Sequence, residues 1–77
     1  MEFNELLQHE LNLLVKFPDS SLDGLKIHHT ANDEVIAAAR RLHDKGLTTQ
    51  ADGGYLTDLG REAFDAAKLL YSLMTPH

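Results

Sequence analysis

Apolar residues recur at positions 3, 6, 7, 11, 13, 14 and 17, with Glu5, Gln8, His9, Asn12 and Lys16 filling the other side. This spacing predicts an amphipathic helix from Phe3 to Phe17. Pro18 disfavours helical backbone at Phe17 and sets the end of the element. The following Asp19-Ser20-Ser21-Leu22-Asp23 carries cap chemistry, with Ser20 and Asp23 at capping-box spacing. Gly24 and the alternation in Leu25-Lys26-Ile27 suit a brief strand equally well, so residues 20–27 stay open between a short helix and a strand. Thr30 and Asp33 repeat the capping-box spacing, and Asp33 and Glu34 lie where a helix dipole favours acids. A helix then runs to about Lys45, burying Val35, Ala38, Ala39 and Leu42, and Gly46 ends it.

Two short β-prone segments, Leu47-Thr48-Thr49-Gln50 and Gly54-Tyr55-Leu56-Thr57, flank Ala51-Asp52-Gly53. Asp-Gly favours a two-residue type I′ hairpin turn, which needs positive φ at both positions. With Asp52-Gly53 as the loop, Gln50 faces Tyr55 and Thr49 faces Leu56. Leu47 and Leu56 then point inward, and Thr48, Gln50, Tyr55 and Thr57 outward. Thr57 caps a last helix, Asp58 sits in its first turn, and the helix reaches about Met74 before Pro76. The pattern predicts one mainly α domain over residues 1–77, in the order helix, short helix or strand, helix, two-stranded hairpin, helix.

Composition narrows the functions available. Hydrophobic residues are 43% and charged residues 25%, the balance of a globular protein rather than a disordered one. A chain of 77 residues buries only about 60–65% of its unfolded surface, so its stability is marginal and self-association a common remedy. No cysteine is present to form a disulfide or a thiolate metal site. The acidic start, Met1-Glu2-Phe3-Asn4-Glu5, predicts no signal peptide, and no apolar run approaches the roughly 20 residues of a membrane span. The expected location is the cytoplasm. A net charge of −5 repels duplex DNA unless the few cations gather on one face.

The run Leu42-His43-Asp44-Lys45-Gly46-Leu47, the tight turn after it, and Leu56-Thr57-Asp58-Leu59-Gly60 together resemble the recognition-helix-to-wing passage of bacterial winged-helix regulators of the MarR and PadR type. The resemblance covers about residues 33 to 63. The whole chain also resembles a small uncharacterised bacterial family whose members carry a DNA-binding label. It implies a winged helix-turn-helix fold and a transcriptional regulator or nucleoid-associated protein. Physical reasons explain the motif without DNA: Gly46 permits a left-handed residue, Thr57 supplies a cap, and Gly60 lets the helix approach the hairpin.

A nucleic-acid surface would use Lys26, Arg40, Arg41 and Lys45 on phosphates, with His28, His29 and Thr30 in the turn before the recognition helix. Against this stand Asp33 and Glu34 in that helix's first turn and a wing tip, Ala51-Asp52-Gly53-Gly54, without a cation. A solvated surface with Arg40 paired to Asp44 is the plain alternative. His28-His29 lacks the further ligands of a metal site, and no nucleophile arrangement or phosphate loop is present. No metal, no cofactor and no enzymatic activity are expected. Both terminal helices carry wider apolar arcs than a small monomer buries. This predicts a homodimer through Leu6, Leu13, Phe64, Leu69, Leu70, Tyr71, Leu73 and Met74. The two function readings are a small DNA-binding regulator and a protein-interaction module presenting an acidic surface and Tyr55. Charge geometry separates them: cations converging beside the hairpin favour DNA, and a face broken by Asp33, Glu34, Asp44 and Asp52 favours the module.

Overall fold

The computed structural model describes residues 1–19 and 23–76. Six elements follow one another: α1 (Glu5–Leu14), β1 (Leu25–Lys26), α2 (Asp33–Asp44), β2 (Thr48–Gln50), β3 (Gly53–Leu56) and α3 (Asp58–Met74). No helix among the described residues is long and apolar enough to cross a membrane. The molecule is mainly α with a small antiparallel sheet, as the periodicity predicted.

Each helix begins at a side-chain cap. Asn4 Oδ1 accepts from the Leu7 amide at 2.9 Å, and Thr57 Oγ1 accepts from the Gly60 amide at 2.9 Å. The cap of α2 is Asn32 rather than the expected Thr30. Its Oδ1 takes the Val35 amide at 2.9 Å, because the chain first turns, with Ala31 N–H donating to the His28 carbonyl. At the other end of α2, Gly46 adopts φ 79°, and the Leu47 and Gly46 amides donate to the Leu42 and His43 carbonyls. These two bonds form a Schellman closure that turns the chain into β2.

The open segment resolves as strand at Leu25–Lys26; the proposed Ser20–Asp23 capping box falls partly outside the described residues. β1 joins the hairpin, giving a three-stranded antiparallel sheet in the order β1-β3-β2 instead of two strands. The hairpin register differs from the expected pairing by two residues at the turn and by one beyond it. Gln50 pairs with Gly53 and Thr48 with Leu56, so the loop is Ala51-Asp52 and β3 holds one extra residue. Positive φ occurs at Gly53 (116°) and Gly54 (74°) and at no non-glycine residue among the described ones, Asp52 included, which excludes a type I′ turn at Asp52-Gly53. The two adjacent glycines take up the left-handed backbone as a bulge. β1 pairs along that bulged stretch, with Leu25 opposite Gly54 and Lys26 opposite Gly53. The shift also turns Thr48 inward, where it is buried and its hydroxyl donates to the Gln50 carbonyl.

The core is Leu13, Leu14, Phe17, Ala38, Ala39, Leu42 and Phe64, with Leu25, Ile27, Val35, Leu47, Leu56, Ala63 and Ala67 packed around it. Ala38 and Ala39 let α1 lie closely along α2. At the start of α3, a Cβ on Gly60 would run into the Leu47 carbonyl oxygen, so the helix approaches the sheet as closely as the sequence implied. α3 is anchored through Gly60, Ala63, Phe64 and Ala67. Gly60 and Phe64 are its buried residues, and the large apolar side chains of its C-terminal turns are exposed.

Candidate functional site

The seven residues expected at a nucleic-acid surface are divided between two sides of α2. Lys26, His28, His29 and Arg40 line one hollow of about 470 Å³ together with Asp52. There Lys26 Nζ donates to Asp52 Oδ2 at 2.8 Å, and the ammonium holds the Asp52 carboxyl below its ordinary range. Arg40 pairs with no carboxylate among the described residues, and the expected Arg40–Asp44 pair is not formed. Thr30 lies exposed in the turn before α2.

Arg41 and Lys45 face the other way, toward α1. Arg41 Nε donates to Glu10 Oε2 at 3.0 Å and its Nη2 to the Leu6 carbonyl at 3.2 Å, while Lys45 Nζ donates to Glu10 Oε1. Glu10 is only 4% exposed. Burial alone would raise its pKa, but the bonds from Lys45 and Arg41, with their positive charges, hold it below its ordinary value. Two of the four candidate cations therefore serve the α1–α2 contact, and a third is neutralised by Asp52.

Beside the α1–α2 contact lies an apolar groove. α1 packs along α2 and not closely along α3, leaving a hollow of about 350 Å³ between α1 and α3. Phe3, Leu7, Leu11 and Leu14 form one wall, Ala63, Ala66, Ala67 and Leu70 the other, and Leu42 and Leu47 the floor. Glu10 and Lys45 are its polar members. A second hollow of about 250 Å³ shares Phe3, Leu11, Ala67 and Leu70, so the groove continues to Tyr71, Met74 and Thr75.

The model of a family of unknown function, DUF5669, matches residues 1–75. The chain belongs to that family. Neither curated proteins nor solved structures give a match. The geometry of the DUF5669 chain itself must therefore carry the functional reading.

The expected dimer residues separate by position. Leu69, Leu70, Tyr71, Leu73 and Met74 are all exposed on α3; Leu70, Tyr71 and Met74 also line the groove, and Leu69 and Leu73 form the ridge beside it. Leu13 and Phe64 do not belong to that surface, for both are core residues of their own chain. Arg61 and Lys68 also cover the Phe64 ring, at 5.0 and 5.2 Å from its centroid, and Lys68 is held by Asp19 at 2.9 Å. Leu6 is exposed but faces the α1–α2 side with Glu5 and His9. The arcs looked uniformly wide on a helical wheel because a wheel does not say which neighbour covers which side.

Glu10 is the residue that the sequence reading passed over. It lies three residues after Leu7 and four before Leu14, inside the apolar stripe of α1. A lone carboxylate in such a stripe signals a buried partner, although the partner's identity requires the fold.

Proposed function

We propose that this chain is a winged-helix protein-interaction module, and that the groove between α1 and α3 receives the α3 ridge of a second copy. β1 on the free edge of β3 and the hairpin directly after α2 support the winged-helix reading. A helix-turn-helix needs a helix directly before α2, whereas the described residues there form β1 and a turn. This favours an interaction role over docking of α2 in a major groove.

The observation that carries the proposal is the adjacency of ridge and groove. Leu69 and Leu73 stand exposed on the helix whose Ala63, Ala66 and Ala67 line the groove. A two-fold axis can therefore seat each ridge in the other copy's groove, an isologous contact of one self-complementary surface. The small alanines let the partner helix approach closely. A stable dimer buries on the order of 1,200 Å² in total. Each copy would then contribute roughly a tenth of its 5551 Å² surface. Sedimentation equilibrium tests this directly. A dimer mass in the micromolar range is expected, and a monomer mass persisting at high micromolar concentration overturns it.

A second reading, weak duplex DNA binding, keeps one specific support. Lys26, His28, His29 and Arg40 converge on one hollow beside the hairpin loop. Phosphate contacts there would make binding strongly salt-dependent. A salt-titrated assay against generic duplex tests it, and no binding at low salt removes it.

A further inference from the structure

Glu5, His9 and Glu34 converge where α1 meets the first turn of α2. His9 Nε2 lies 3.6 Å from Glu5 Oε1 and 3.6 Å from Glu34 Oε2. One donor atom from each of the three residues lies within 4.8 Å of the other two. Glu5 and His9 are one turn apart on α1, and Glu34 comes from the first turn of α2. A 3.6 Å separation is beyond hydrogen-bond reach, so these contacts do not satisfy one another as donor and acceptor.

We propose that this triad binds a divalent transition ion of the zinc class, bridging α1 and α2. Zinc bonds to imidazole nitrogen and carboxylate oxygen are about 2.0–2.2 Å, which sets neighbouring donors in a tetrahedron about 3.4 Å apart. Both His9 contacts are within a few tenths of that spacing, and Glu5, being exposed, can swing its oxygen inward. Octahedral magnesium, at about 2.1 Å, requires a tighter spacing of about 3.0 Å and all-oxygen donors, so the imidazole argues for zinc. Two carboxylates and a neutral imidazole carry charge −2, which the ion balances. The same hollow, about 330 Å³, is lined by Asp33, which leaves room for a water or a further carboxylate as fourth ligand. Arg41 also lines it, but its guanidinium is engaged by Glu10 and the Leu6 carbonyl rather than by the triad. In a chain without cysteine, such an ion would act as a staple between the two helices that form most of the core.

Zinc chloride titrated into the intact chain, followed by His ring NMR signals and by melting temperature, provides the test. Saturable one-to-one binding should shift the His9 signals and raise the melting temperature by several degrees. His9→Gln and Glu34→Gln, each verified as folded by circular dichroism without metal, should lose both effects. A His28→Ala/His29→Ala variant should keep them. Binding that shifts His28 and His29 instead of His9, binding unchanged in His9→Gln, or no saturable binding would each overturn the assignment.

Discussion

Glu10 on α1 and Arg41 on α2 form an ion pair at 3.0 Å, with a carboxylate that is almost wholly buried at its centre. Because the folded-state pKa of Glu10 is lowered, its contribution is fully present above the ordinary carboxylate value of 4.5 and is lost as pH falls through the lower folded value. Acid titration of thermal stability should show this loss below pH 4.5, and Glu10→Gln should reduce it. Arg41→Ala should cost about 2 kcal/mol, less than the roughly 3–5 kcal/mol of a buried pair broken outright, because Lys45 still reaches Glu10. Chemical denaturation of both variants measures this directly.

Leu73→Glu should move the chain to monomer without harming the fold, since Leu73 is three-quarters exposed in the single chain. The wild-type melting temperature should rise with protein concentration, whereas that of the variant should not. Phe64→Ala provides the contrast. It should cost about 3–5 kcal/mol at any concentration, because Phe64 belongs to the core and not to the ridge.

Gly53 and Gly46 both have positive φ, but only Gly53 is also crowded, with the Leu25 carbonyl where a Cβ would stand. Gly46→Ala should therefore cost about 1 kcal/mol from backbone conformation alone. Gly53→Ala should cost at least about twice that and detach β1 from the sheet. Denaturation midpoints, with amide exchange on the Ile27 N–H that donates to the Asp52 carbonyl, separate the two effects.

If duplex DNA binds, Arg40→Ala should weaken it across sequences and lower the salt slope by about one unit. Arg41→Ala should leave the salt slope unchanged, because its guanidinium is engaged on the α1 side. Equal effects of both substitutions on the slope would contradict the division of the cations between two faces.

What the sequence by itself determined lies within a few residues of each signal. The apolar spacing of α1, α2 and α3, the stop at Gly46 and the Thr57 cap were legible, because a helix turn and its caps involve atoms at most about five residues apart. The close approach of Gly60 to Leu47 spans more of the chain and was legible only because a glycine within a helix signals close packing. The Asn32 cap was missed although it, too, is local: Thr30 offered the same chemistry two residues earlier, and only the turn at His28–Ala31 decides between them. The hairpin register failed for a different reason. Asp52-Gly53 and Gly53-Gly54 both offer places for left-handed backbone, and the edge pairing of β1 accompanies the second choice. The fates of Arg41, Lys45 and Glu10, whose partners lie 31 and 35 residues apart, were beyond any local pattern. The angle at which α1 crosses α2 decides those contacts. The same packing brings Glu5 and His9 to Glu34, and leaves α1 standing off α3 to open the groove.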